Sequence, residues 1–299
     1  MKGSHAPSLR TLVRRLLETE LGLRGASILC ACSGGPDSTA MLHVLAGLRP
    51  ALDLTLTACA VDHGLRREAG AEIELAREVA ASAGVPFEVV GLHVPRGPNL
   101  MARAREARYA ALREVRARLG ASLIATGHTA DDRAETVVMR LLRGAGPRGL
   151  AVLPPRTEDL LRPLVRARRA DVLLHLARAG VRFASDPSNE DRSFLRVRVR
   201  KEIMPLFEGL SPQIVASLCS LADELAEILP TDDPLASLGR RQRQMVERAL
   251  RLGPGGARVR TSDREEVFVQ VENGRKVLRE VVSPKPAPAG RRGTRTGPL

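Results

Sequence analysis

The sequence predicts an α/β fold: a doubly wound, mostly parallel five-stranded sheet followed by a small C-terminal α+β appendage. Three observations predict it. Short apolar runs alternate with segments of helical period through the first two thirds of the chain. Those runs are nearly continuous, as in strands covered by helices on both faces. The alternation then stops after the DPSN segment at 186–189.

Residues 8–24 carry a basic amphipathic helical pattern. SILCAC (27–32) reads as a buried strand, followed by a glycine turn and a helix from Ser38 to Leu48. DLTLTACAV (53–61) is a second strand, and 66–83 a helix stopped by Gly84. PFEVVGL (86–92) is a third strand, and 99–119 a long helix ending at Gly120. SLIAT (122–126) is the fourth, with a helix over 129–143 ending at Gly144. EDLLRPL (158–164) is the fifth, with a helix over 168–179 before Gly180. Beyond it, 192–204 is basic and helical, Pro212 opens a helix to Leu229, TDDP (231–234) reads as a linker, and 235–251 as another helix. VFVQVENGRKVLREV (267–281) is two strands around Asn273-Gly274, a type I′ hairpin signal. The expected organisation is a first domain over 1–210, an appendage over 211–282 and a disordered basic tail over 283–299.

Composition narrows the function. Of 299 residues 43% are hydrophobic, enough for a sizeable core. No run approaches the ~18–20 apolar residues of a membrane span, and the first twenty residues lack the apolar stretch of a secretory signal. No CxxC pair occurs among Cys30, Cys32, Cys59 and Cys219, so zinc and disulfide frameworks lack support and a reducing, cytoplasmic setting is expected. The net charge of +13 favours a polyanionic partner. Only four of the 47 basic residues are lysine, and with aromatics at 2% an RNA contact would rest on phosphate and arginine more than on stacking.

Three motifs end strands one, two and four. SGGPDS places Ser33, Gly34, Gly35, Pro36, Asp37 and Ser38 between a strand and a helix. The glycines permit close backbone approach, the helix N-terminus favours an anion, and the serines add hydroxyl donors. Asp37 beside phosphates is repulsive unless a cation lies between, which points to Mg²⁺ held by Asp37 and the phosphates together. No Gly-Lys-Ser/Thr occurs, so this is not a Walker A loop. VDHGLR delivers Asp62, His63 and Arg66 at the end of strand two. GHTADDRAET delivers Gly127, His128, Asp131 and Asp132 at the end of strand four, with Glu135 one helical turn past Asp131. Neighbouring helical side chains lie ~100° apart, so one aspartate can face the sheet edge while the other leans aside. Ligands of doubly wound sheets sit beyond the strands' carboxyl ends, and three polar loops there suit a nucleoside triphosphate.

SGGPDS resembles the pyrophosphatase loop of the N-type ATP pyrophosphatases, which have an adenine nucleotide alpha hydrolase-like fold. Together with VDHGLR, GHTADDRAETVVMRLLRGAG (127–146), RPL (162–164) and DPSNEDRSFLRVRVRKEIMPL (186–206), it resembles the tRNA(Ile)-lysidine synthetases over residues 25–210. The resemblance implies that ATP adenylates the wobble cytidine of a tRNA(Ile) with a CAU anticodon. The ε-amine of L-lysine then displaces AMP to give lysidine. It implies ATP and nucleotide contacts at Ser33–Ser38, Asp62, His63, Gly127 and His128, Mg²⁺ at Asp37, and catalytic roles for Asp37, Asp131 and Asp132. The split of lysine recognition and proton transfer between Asp131 and Asp132 stays open. Arg105, Arg108, Tyr109, Arg196, Arg198 and Arg200 are the expected tRNA contacts, and a homodimer is compatible with the family. Val197 stands where the family usually has asparagine, and His175 where tyrosine is usual; both are expected to lie away from the nucleotide loops. The nearest rival is a tRNA thiolase, which normally carries sulfur on cysteine; here Cys30 and Cys32 sit in an apolar strand and read as core.

Overall fold

In the computed structural model the described residues are 7–62, 69–95, 97, 100–184 and 194–228, single residues 244 and 248, and the backbone of three later strands. Two compact units divide at Glu227/Ile228.

The first unit holds a five-stranded sheet in the order β3-β2-β1-β4-β5 with every ladder parallel. Its strands are β1 (Ser27–Ala31), β2 (Thr55–Asp62), β3 (Phe87–Gly91), β4 (Leu123–Ala125) and β5 (Leu160–Leu161). The chain builds outward from β1 through β2 to β3, then returns to pair β4 on the other side of β1. That reversal opens a crevice at the carboxyl ends of β1 and β4.

Period-two burial on β1 explains the layering. Ile28, Cys30 and Cys32 face a core made with α1 (Leu9–Arg15), α2 (Pro36–Leu52), α3 (Ala69–Ser82) and α7 (Arg169–Ala179). Leu29 and Ala31 face Leu112 and Val115 of α4 (Leu100–Arg118) on the opposite side. All four cysteines are buried free thiols. The predicted glycine stops hold: Gly84, Gly120, Gly144 and Gly180 all have positive φ.

Several boundaries differ from the sequence reading. The first helix leaves α geometry at Leu16–Glu20, a π turn. α2 starts at Pro36, where proline suits the first helical position, and runs past Pro50 to Leu52 because Leu48 and Leu52 are both buried one turn apart. β5 keeps only two residues, since Arg162 bonds to Pro155 and Pro163 has no N–H to donate. A short helix, α6 (Pro147–Leu150), follows α5 (Ala130–Leu142) unforeseen.

The predicted break at residue 210 falls inside the first unit. The basic segment forms α8 (Leu195–Arg198), a π turn (Val199–Ile203) and α9 (Met204–Leu210), and then α10 (Ile214–Ile228) packs onto α5. Val215 and Cys219 of α10 share a core with Ala130, Ala134 and Val138 of α5. The fully buried Arg133 ion-pairs with Asp223 at 2.7 Å, and Asp223 also meets Arg166. This apolar and ionic seam ties 211–227 to the unit that carries the motifs.

The second unit contains an antiparallel sheet of β6 (Ala257–Arg260), β7 (Glu266–Glu272) and β8 (Arg275–Val282) in that order. β7 and β8 form the hairpin expected around Asn273-Gly274, with Glu272 opposite Arg275. β6 was not foreseen. Of the expected helix over 235–251 only Gln244 and Arg248 are described, both helical, and the tail lies outside the described residues.

Candidate active site

A cavity of about 510 Å³ opens at the reversal point between β1 and β4. Ser33, Gly35, Pro36, Asp37 and Ser38 line it from β1, His128 and Asp132 from β4, Arg169 from β5, and Arg196, Val197 and Arg200 from α8 and its π turn. Glu72, Arg108 and Ala184 complete the wall.

The β1–α2 loop is held by its own polar groups. Ser38 Oγ accepts from Ser33 N at 3.1 Å and donates to Gly35 O at 3.1 Å, and Thr39 Oγ1 donates to Gly34 O. Gly34 does not line the cavity. Its φ of +79° and a would-be Cβ only 2.4 Å from the Glu72 carbonyl oxygen require glycine there. Gly127 has a similar role, since a Cβ would lie 2.9–3.0 Å from backbone atoms of Asp37 and Ser38. It lets the β4 motif close onto the first turn of α2. No side chain caps α2, whose first-turn N–H groups lack intrahelical acceptors.

Asp37 differs from the other polar groups of the loop. Its Oδ1 is buried and, among the described residues, has no hydrogen-bond partner. Burial pushes its carboxyl up to about 6, helped by the charge of Asp132 and opposed by Arg169 and Arg200. A desolvated carboxylate with a bare oxygen in an otherwise donor-rich cavity fits a hard cation. Among the described residues no cluster of three His, Cys, Asp or Glu side chains is placed to hold a metal by itself.

The two aspartates of the β4 motif diverge. Asp132 caps α5, its Oδ2 accepting from Thr129 N at 2.9 Å and Thr129 Oγ1 at 3.0 Å. Its Oδ1 accepts from Arg196 at 2.9 Å and Arg169 at 3.0 Å. Asp131 turns out of the cavity: its Oδ2 accepts from Arg169 N at 2.6 Å, at the N-terminus of α7, and its Oδ1 from Arg168 at 3.1 Å. Glu135 therefore joins Asp132 rather than Asp131. Only 1% exposed, it receives Arg200 Nε at 2.7 Å and Arg196 Nε at 3.1 Å. His128 is half-buried, and its desolvation pulls the imidazole down to about 4 against the charge of Asp132, so it is neutral at pH 7.

Other expected residues are placed differently. Asp62 ends β2, where its carbonyl accepts from Leu92 N, and it is not in the cavity wall. His63 and Arg66 lie outside the described residues. Arg196 and Arg200, read as RNA contacts, turn inward to Asp132 and Glu135. Arg198 alone of that trio faces outward, paired with Glu202 at 3.4 Å. Arg108 lines the cavity, while Arg105 lies 5.1 Å over the Tyr109 ring. Val197, expected away from the nucleotide loops, is in the cavity wall; His175 sits away from it, 2.9 Å from His43 between α7 and α2. The sequence reading missed Arg169. Its signal was present, since an Arg-Arg pair opening a helix after strand five sits at the same sheet edge as the other motifs.

The PP-loop domain family matches residues 8–207. The chain belongs to the PP-loop family. Within it, this PP-loop protein is similar to curated tRNA(Ile)-lysidine synthases. It is 40% identical to that of Pseudomonas syringae pv. tomato, over 77% of this chain and 53% of the relative. It is 41% identical to that of Salinispora arenicola, over 72% of this chain and 66% of the relative. It is 40% identical to that of Mycolicibacterium paratuberculosis, over 83% and 72%. The chain thus spans about half to two thirds of the length of the first two. The U34-tRNA thiolase NcsA from Methanococcus maripaludis, solved with its [4Fe-4S] cluster, shares the fold with a TM-score of 0.65. It is 20% identical, over 77% of this chain and 84% of that one. Sulfur chemistry finds no support in this chain's thiols. Burial pushes Cys30 up to about 12 and Cys59 and Cys219 up to about 11, so none is a thiolate at neutral pH.

Proposed function

We propose that this PP-loop protein joins lysine to C2 of the wobble cytidine in a tRNA(Ile) with a CAU anticodon, consuming ATP and releasing AMP and pyrophosphate. The observation that carries the proposal is the bare carboxylate oxygen of Asp37 within a cavity built by the Ser33–Ser38 loop at the β1/β4 edge. The similarity to tRNA(Ile)-lysidine synthases supplies the substrate identities.

In this reading Ser33, Ser38 and the first-turn N–H groups of α2 hold the ATP phosphates, and Asp37 holds Mg²⁺. When bound, the ion supplies positive charge beside the leaving pyrophosphate. Arg169, Arg196 and Arg200 add charge at the same wall. Cytidine O2, amide-like and a poor leaving group, attacks the α-phosphorus; lysine then adds at C2 and O2 departs with AMP. Neutral His128 offers the nucleotide a hydrogen bond without a charge.

Lysine's ammonium must find acidic partners and then lose a proton to act as nucleophile. Asp132 lines the cavity and Glu135 lies buried behind it, and both are saturated by arginines of the cavity wall. ATP phosphates compete for those guanidiniums, which frees the carboxylates for the amine. The proposed order is therefore ATP before lysine. Asp131, outside the wall, acts by fixing the end of α7 that carries Arg169. The outward Arg198 and the Arg105–Tyr109 pair are the proposed RNA contacts.

The test is the fate of ATP labelled at the α-phosphate. AMP formed only when transcript tRNA is present, together with pyrophosphate, agrees with the proposal. ADP and phosphate would refute it.

A further inference from the structure

A second cavity, of about 540 Å³, adjoins the first across His128 and Arg196, which line both. It lies between α5 and the α6 segment. Thr136, Met139, Arg140 and Arg143 occupy spacing i, i+3, i+4, i+7 and so present one face of α5 and its C-cap. Met139, Val152 and Leu153 give the cavity an apolar side.

The charge here is one-sided. Five arginines line this cavity and no carboxylate does. In the first cavity Arg169, Arg196 and Arg200 answer Asp132 and Glu135, so Arg196, on the border of both cavities, is already paired. Here Arg140 and Arg143 are exposed and, among the described residues, their side chains have neither hydrogen-bond nor ion-pair partner. Unneutralised guanidiniums beside an apolar wall match a ligand that is anionic at one end and flat and apolar at the other. A nucleotide has that form, and single-stranded loops splay their nucleotides apart for such sites.

We propose that this cavity receives a nucleotide flanking the reacting base in the RNA loop, with its phosphate on Arg140 and Arg143 and its base against Met139 and Leu153. The inference rests on the RNA reading above. It explains how one RNA strand delivers a base across the His128–Arg196 border: the neighbour is anchored on one side while the reacting base enters the other.

The test uses the full chain with R140Q/R143Q and a control, R15Q/R178Q, which removes the same charge at exposed arginines outside both cavities. Binding of an anticodon stem-loop RNA is followed by fluorescence anisotropy across a salt series, and ATP binding by equilibrium dialysis. R140Q/R143Q should weaken RNA binding ~10-fold or more, and flatten the log–log salt slope by ~1–1.5, as two lost single-strand phosphate contacts require. ATP binding should not change. Neutral methylphosphonate linkages flanking the wobble position should weaken wild type and the control but not R140Q/R143Q. An equal loss in the control, or an undiminished methylphosphonate effect in R140Q/R143Q, would overturn the inference. So would competition by an acidic peptide as effective as the RNA. Wild-type RNA affinity in R140Q/R143Q would overturn the inference while leaving the proposed function standing; failure of wild type to bind the RNA would overturn both.

Discussion

Asp37→Asn should make the metal-free protein more stable at neutral pH while abolishing turnover. Burial and the charge of Asp132 raise the Asp37 carboxyl from 3.8 to about 6. The native state therefore binds a proton that the unfolded chain releases between those values. That contribution is fully present below the unfolded value and is lost as pH rises through about 6. A carboxyl midpoint raised by about two pH units corresponds to about 3 kcal/mol, so about 1–3 kcal/mol is expected to separate wild type from the variant at pH 7. Asparagine is nearly isosteric and carries no charge to desolvate. In a domain of this size each kcal/mol moves Tm by about 2–4 °C. Melting curves in EDTA, taken at steps from pH 4 to 8, should show Asp37→Asn equal to wild type at the acid end and several degrees above it at pH 7 and beyond. With Mg²⁺ and ATP the order should narrow or reverse, because binding stabilises wild type alone. A variant that melts below wild type throughout in EDTA, or a difference that ignores pH, would refute the reasoning.

Gly127→Ala should destabilise by about 1–3 kcal/mol and weaken ATP binding, because the added methyl must push β4's loop from backbone atoms of Asp37 and Ser38; unchanged melting and ATP affinity would contradict this. His128, pulled down to about 4, gives stability that is present above pH 6.5 and is lost as pH falls towards 4; its ring resonances should titrate with a midpoint below 5, and His128→Asn should blunt that acid sensitivity. Labelled lysine should be retained at saturating ATP analogue and not in its absence, if Arg196 and Arg200 must be drawn from Asp132 and Glu135 first; retention without nucleotide would reverse the proposed order.

The sheet was legible because it is buried on both faces. β1 is apolar after Ser27, β4 is wholly apolar, and β2 interrupts its apolar run only with Thr55 and Thr57 before ending at Asp62. The loop between β1 and α2 was legible as a loop because its features are local: two glycines, two hydroxyls and a helix start lie within six residues. The inward course of Arg196 and Arg200 was not. A basic helix reads as solvated or RNA-facing until its partners are known, and Asp132 and Glu135 lie more than sixty residues earlier. The split between Asp131 and Asp132 was legible as geometry, ~100° apart on one turn, but not as identity. Which one faces the cavity depends on Thr129 capping α5 and on the α7 terminus reaching Asp131. α10 reads as part of the appendage because the β/α alternation has ended before it. Its amphipathic face shows that it needs a partner, and only the packing of Val215 and Cys219 on α5 says which.

The most direct test of the proposed function is mass spectrometry of a transcript tRNA(Ile) with a CAU anticodon after incubation with the protein, ATP, Mg²⁺ and lysine. The fragment carrying the wobble cytidine should gain the mass of one lysine less one water, and omitting either ATP or lysine should prevent the gain. An unmodified cytidine under complete conditions, or a gain of sulfur at that nucleotide, would contradict it.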